Sequence, residues 1–225
     1  MTLNNAVTPI VPSPILLRYA SAPKLINPRE INSNIMKEIE IKIIEIDRKR
    51  VEDDLATIGA AKTFDGDVET WLFDFQDGAI TRARNLLRLR RIGDRTDLAF
   101  KKFVESQSAK VRNEYEVSIS DFETMRLILE SIGLIPTWRM MKHRTSYVLS
   151  GGVHVDIDKY SGDFSHIPEL MEIEGGDIST IREHAKLLGF GPDDCKSWDT
   201  FDLIEHYSGK NARDDPYGIA PSSES

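Results

Sequence analysis

Glu38-Ile39-Glu40-Ile41-Lys42 sets two carboxylates and an ammonium at two-residue spacing, with β-branched residues between them. On a strand, residues two apart share a face, so Glu38, Glu40 and Lys42 point one way and Ile39, Ile41 and Ile43 the other. Two carboxylates side by side repel unless something cationic lies between them. A divalent metal would serve, and so would a facing basic surface. A lone stretch of this kind is most simply a half-buried strand with a solvated charged face, but here the pattern repeats. Glu114-Tyr115-Glu116 and Glu172-Ile173-Glu174 repeat the acidic pair, and Asp156-Ile157-Asp158 adds another. Arg88-Leu89-Arg90 and Lys142-His143-Arg144 supply basic pairs at the same spacing. Strands that each carry a same-sign pair imply a shared polar interior.

The expected inward acids are Glu38, Glu40, Glu114, Glu116, Asp158, Glu172 and Glu174, and the bases are Lys42, Arg88, Arg90, Lys101, Lys142 and Arg144. Like charges side by side on an open sheet cost up to about 1 kcal/mol per pair. Closing the sheet brings acidic strands opposite basic ones, and about eight strands leave room for one small ligand. Burying so many charges as plain ion pairs is a poor route to stability, so the lining reads as a ligand site. Carboxylates without a Cys or His cluster favour Mg2+ or Mn2+. Arg and Lys favour phosphate. A metal with a polyanionic phosphate satisfies both halves, and a triphosphate suits it best.

The elements that must position these residues follow from periodicity. A strand over 38–46 precedes a helix carrying Val51, Leu55 and Ile58 that stops at Gly59. A strand over 114–119 precedes a helix capped by Ser120 with Glu123 three residues on, carrying Met125, Ile128, Leu129 and Ile132 and ending at Gly133. A strand at 171–173 precedes a helix with Ile181, Ala185 and Leu188 that ends at Gly189, and a short helix over 199–207 turns Phe201 and Ile204 inward. Further strands are expected near 69–75, 85–92, 97–103, 138–149 and 152–158, which makes about eight strands and four helices in an α+β fold. Gly151-Gly152 reads as a hairpin turn and Gly175-Gly176 as a strand-to-helix turn. The five histidines are scattered and read as surface or satisfied residues, and Trp71, Trp138 and Trp198 as packing.

The chain of 225 residues suits one domain, with 1–35 as a flexible N-terminal tail, 36–208 folded and 209–225 as a disordered C-terminal tail. Net charge is −8, so no global basic field attracts nucleic acid, which is disfavoured as a partner. Arg82, Arg84, Arg88, Arg90 and Arg91 cluster instead, as suits a focused anion site. The single cysteine, Cys195, excludes an intrachain disulfide. No apolar run reaches the roughly 20 residues that span a bilayer, and no secretory leader is recognisable, so a cytoplasmic protein is the default.

In this order the charged residues resemble the CYTH family, the triphosphate tunnel metalloenzymes, which include class IV adenylyl cyclases, thiamine triphosphatases and inorganic triphosphatases. Glu38, Glu40 and Lys42 match the family's opening Glu-x-Glu-x-Lys. Leu87-Arg88-Leu89-Arg90, Lys101, Arg112 with Glu114 and Glu116, Lys142 with Arg144, Asp158, Glu172 with Glu174, and Lys196 follow in sequence. The match spans residues 37–207. It departs at Thr70-Trp71-Leu72-Phe73-Asp74, where the family often has Asp-x-Tyr-Phe-Asp, and at Ile44, where a second base often stands. Both departures bear on the substrate's non-phosphate end.

The resemblance implies an eight-stranded antiparallel β-barrel, a triphosphate tunnel, flanked by about four helices. It implies a metal site of Glu38, Glu40, Asp158, Glu172 and Glu174 holding Mg2+ or Mn2+. Lys42, Lys101, Glu114 and Glu116 are expected to act in catalysis, and Arg88, Arg90, Lys101, Lys142, Arg144 and Lys196 to bind phosphates. The expected partner is a small-molecule triphosphate, with no membrane, and a homodimer is an allowed assembly. Hydrolysis of inorganic triphosphate, thiamine triphosphate or a nucleoside triphosphate ranks first. Class IV adenylyl cyclase activity ranks next, and non-catalytic nucleotide or polyphosphate binding third.

Overall fold

The structure, a computed structural model, describes residues 36–104, 110–209 and 212–213, with the side chains of 36–38, 110 and 111 outside that description. The expectations for 1–35 and for 214–225 therefore lie outside the described residues.

Eight strands, β1 (Met36–Ile44), β2 (Ala61–Phe75), β3 (Leu86–Ile92), β4 (Arg95–Val104), β5 (Lys110–Ile119), β6 (Leu134–Val148), β7 (His154–Ser161) and β8 (Leu170–Glu174), form a closed barrel. Its order is β1-β5-β4-β3-β2-β6-β7-β8, every pairing is antiparallel, and β8 returns to β1 with Lys42 opposite Glu172. The helices are α1 (Arg48–Thr57), α2 (Ala79–Arg82), α3 (Phe122–Ser131), α4 (Ile178–Leu187) and α5 (Thr200–Ser208).

Alternation along β1 does what its residue types dictate. Ile39, Ile41 and Ile43 face outward into a core made with Val51 and Leu55 of α1, Ile181 and Ala185 of α4, and Val155, Ile157, Met171 and Ile173 from β7 and β8. Full burial of one such side chain stabilises by about 1.5–3 kcal/mol, so this helix pair and the barrel wall depend on each other. On the opposite flank α3 sets Phe122 and Leu129 against Phe73, Leu89 and Leu134. A third cluster lies at one end of the barrel, where the inward residues turn apolar. Leu72, Leu86, Trp138, Met140 and Tyr160 meet Phe201, Leu203 and Ile204 of α5 there.

Three local expectations need correction. The α3 N-cap is Asp121, whose carboxylate accepts the Thr124 N–H at 2.7 Å, and not Ser120. The buried stripe rotates with it: Phe122 and Leu129 go inward, while Ile128 and Ile132 are exposed. β2 starts at Ala61, well before residue 69, because its first half pairs along the length of β6. The unforeseen helix α2 is a single turn held by the fully buried Asp74, whose carboxylate accepts the N–H groups of Ile80 (2.9 Å) and Thr81 (2.8 Å). Gly151 and Gly152 make the β6–β7 turn at φ +79° and +73°, where a side chain would be strained. Among the described residues no helix is long and apolar enough to cross a membrane.

Candidate active site: an ionic cavity inside the barrel

Inward-facing positions surround a cavity of about 380 Å3. Its wall carries Glu40 and Lys42 from β1, Arg88 and Arg90 from β3, Lys101 from β4, Glu114 and Glu116 from β5, Lys142 and Arg144 from β6, and Glu172 and Glu174 from β8. Antiparallel register explains how like charges coexist. Lys42 stands opposite Glu172, Arg144 opposite Asp158, Lys101 opposite Glu114 and Arg90 opposite Asp97. Those opposite-sign pairs gain cross-strand attraction, whereas Glu40 meets Glu174 and Asp156 meets Glu172, the latter two bridged by Arg144.

Two networks result. In the first, the Lys42 ammonium lies 2.8 Å from Glu40 and 2.6 Å from Glu172. Arg144 donates to Asp158 from Nε (2.7 Å) and Nη2 (2.6 Å), reaches Glu172 at 2.7 Å, and also pairs with Asp156. Lys142 completes it, 2.5 Å from Asp158. In the second network Arg88 Nη2 bridges Glu114 (3.0 Å) and Glu116 (3.1 Å), Arg90 forks onto Asp97 (3.2 and 3.1 Å), and Lys101 lies 3.2 Å from Glu114.

Burial opposes charge on Glu172, Lys42 and Lys142, and neighbours decide the outcome. Glu172 is held well below the usual carboxylate range despite burial, by Lys42, Lys142 and Arg144. Lys42 is held well above the usual ammonium range despite burial, by Glu172 and Glu40. Lys142 moves the other way: burial and the adjacent Arg144 lower its pKa. Desolvating each ion costs several kcal/mol, so these ion pairs are a weak source of stability.

Eleven of the expected site residues converge on the wall; two do not, and the Glu38 side chain lies outside the described residues, although its backbone pairs with Arg112. Asp158, expected as a metal ligand, is 0% exposed behind the wall, with both oxygens taken up by Lys142 and Arg144. Lys196, expected to bind phosphate, donates from Nζ to the Asp193 carbonyl at 2.8 Å. Its backbone pairs with Lys42 in both directions at 2.8 Å, so only its main chain supports the site. Several wall residues had no expected role: Arg95, Arg112, Asp156, Tyr160 and His154, the last set aside as a surface histidine. Arg112 donates to the Arg84 carbonyl and to Asp199, both at 2.9 Å. Parity would have found it, since 112, 114 and 116 share a face, as do 97, 99 and 101 for the buried Asp97.

The donor chemistry suits a hard cation. Glu40 and Glu172 already share one positive charge in the Lys42 ammonium, and Glu174 lies on the same wall. Among the described residues no three His, Cys, Asp or Glu side chains converge on one point as a ready-made metal site.

The fold and the site define a closed antiparallel barrel with carboxylates on one arc of its interior and bases on the other. The CYTH domain model matches residues 36–188, and the chain belongs to that family. No curated protein matches the sequence. Among solved structures, a conserved hypothetical protein from Pyrococcus furiosus is similar at 24% identity and TM-score 0.62, covering 74% of this chain and 99% of that one. A putative adenylate cyclase from Vibrio parahaemolyticus is similar at 15% identity and TM-score 0.63, covering 75% and 97%. A Hippeastrum protein described as a putative adenylyl cyclase with a dominant triphosphatase activity is similar at 14% identity and TM-score 0.54, covering 77% and 96%. At these identities the likeness is one of fold.

Proposed function

We propose that the chain is a divalent-metal-dependent hydrolase of a triphosphate bound in the barrel cavity. One observation carries the reading: bases in phosphate-binding number from β3, β4 and β6 face carboxylates of metal-binding type from β1, β5, β7 and β8 across one 380 Å3 space. Membership of the CYTH family, whose members are in general metal-dependent triphosphatases or cyclases, supports it.

In this reading Arg88, Arg90, Lys101, Lys142 and Arg144 hold phosphate oxygens and stabilise the charge that grows during phosphoryl transfer. Their carboxylate partners pre-position them, so little reorganisation accompanies the reaction. Asp158 acts through Lys142 and Arg144, as a positioning residue. Lys42 keeps Glu172 ionised and pairs with Glu40. Those two, with Glu38 and Glu174, would hold Mg2+ or Mn2+, which neutralises phosphate charge and lowers the pKa of a bound water. Glu116, the more open of its pair with 32% of its side chain exposed, would accept the proton of an attacking water, while Glu114 fixes Arg88 and Lys101. A cytoplasmic location fits this substrate class.

The same cradle serves cyclisation of ATP when a ribose hydroxyl, and not water, meets the α-phosphorus; the fold likeness to a putative adenylate cyclase keeps this as the second reading. Incubation with ATP, tripolyphosphate and thiamine triphosphate, each with Mg2+ or Mn2+, separates them by product. Orthophosphate release is expected; cyclic AMP with pyrophosphate would replace hydrolase by cyclase. Tight binding without turnover would make the barrel a polyphosphate-binding module. Glu38→Gln with Glu40→Gln should abolish turnover while far-UV circular dichroism is retained, and full activity in that double variant would sink the metal assignment.

A further inference from the structure

Part of the cavity is not ionic. Thr70, Leu72, Leu86, Met140 and Tyr160 form a ledge where the charged wall meets the apolar end of the barrel. Its three aliphatic side chains offer no donor to bare phosphate.

Tyr160 is 4% exposed, with its ring edge-on to Phe164 at 6.3 Å and the Lys142 ammonium 5.5 Å from its centroid. Among the described residues its hydroxyl has no hydrogen-bond partner, yet it is not sealed from solvent; the buried side-chain atoms left unpaired and sealed are Arg88 Nε and Trp138 Nε1. The oxygen therefore opens onto the cavity. The Thr70 hydroxyl, on a residue 9% exposed, is likewise unpartnered and cavity-facing. Burial and the nearby Asp158 and Glu172 raise the Tyr160 pKa, which keeps the group a neutral donor. The small cavity, near the lower end of the ~300–1,000 Å3 usual for ligand pockets, limits the ledge to a compact group.

We propose that Tyr160 and Thr70 hydrogen-bond an uncharged oxygen or nitrogen on the organic group of a triphosphate ester, whose apolar part rests on Leu72, Leu86 and Met140. Tyr160 is then a specificity-determining residue, and the substrate is an organic triphosphate in preference to inorganic triphosphate. This rests on the triphosphate reading above.

The test compares wild type with Tyr160→Phe for tripolyphosphate, thiamine triphosphate and ATP, with Mg2+, reading kcat, KM and the ligand-induced thermal shift. Loss of one neutral hydrogen bond should raise KM for at least one organic triphosphate by about 3- to 10-fold more than for tripolyphosphate. Thr70→Val should show the same selective loss, and it carries the test if Tyr160→Phe does not fold. Equal changes across the three compounds, or none, would overturn the ledge assignment while leaving triphosphate binding intact. A wild-type protein that none of the three stabilises would overturn the triphosphate reading itself, and the ledge with it.

Discussion

Asp158 shows how burial redirects a side chain's chemistry. Its carboxylate is shielded completely and shared by Lys142 and Arg144, so removing its charge takes the paired carboxylate from Lys142 in a low-dielectric wall and leaves Arg144 with Asp156 and Glu172. Asp158→Asn is expected to cost about 3–5 kcal/mol in urea unfolding and, in the surviving folded enzyme, to raise KM for the triphosphate more than it lowers kcat. An unchanged KM would show that the two cations hold their places without it. The alternation that made Glu40, Lys42, Arg88 and Glu172 legible as inward residues needed only residue type and a period of two. Two placements were beyond that signal. Asp158 has the right parity but the wrong depth, and depth depends on the cross-strand register with Arg144. Lys196 has the right residue type, but its main chain bridges Lys42 and its ammonium turns to the Asp193 carbonyl.

At the scale of elements, two attachments are open to measurement. β2 and β6 are clamped on their outer surface by His143, whose ring nitrogens lie 3.1 Å from Asp67 and 2.8 Å from Asp65. Those two carboxylates raise the His143 pKa, and Lys62 with His143 draws Asp65 down to about 2. A histidine whose folded pKa is raised contributes stability below its unfolded pKa and loses that contribution as pH rises through the folded value. The Tm difference between wild type and His143→Gln should therefore be largest near pH 5.5 and shrink above the usual histidine range, and a difference that grows with pH would refute the clamp. α5 is tied down by Asp199, which caps the N–H groups of Phe201 and Asp202 and pairs with both Arg112 and Arg213. Asp199→Ala should cost about 1–2 kcal/mol from the cap alone and raise KM by loosening Arg112, as paired unfolding and kinetic measurements would show. Strand existence was readable for all eight strands because each has an alternating or paired-charge core. The early half of β2 was not, since Asp65-Gly66-Asp67 reads as a turn and becomes strand only by pairing with β6. The α3 cap slipped by one residue for a related reason: Ser120 and Asp121 are both capping types, and the choice between them falls to the packing of Phe122.

For the whole molecule, the interior gathers cations that a ligand would neutralise, so occupancy and stability are linked. Tripolyphosphate with Mg2+ at about 100 times its Kd should stabilise by about 2.7 kcal/mol, a rise in Tm of roughly 5–10 °C for a chain of this size. The shift should decline as added salt screens the exposed part of the interaction; a shift that ignores both ligand and salt would detach the cavity from polyanion binding. The seam between β1 and β8 carries a consequence for the order of events in synthesis. It joins Met36–Ile44 to Leu170–Glu174, the earliest strand of the barrel to the latest, and Lys42 meets Glu172 across it. Contacts so distant along the chain close slowly, and on the ribosome β1 has no β8 to pair with until nearly the entire barrel has been translated. Until then Ile39, Ile41 and Ile43 lack part of their cover, a natural point for chaperone capture. The cavity therefore closes abruptly and late, and a chain that stops before Glu174 leaves no closed barrel behind.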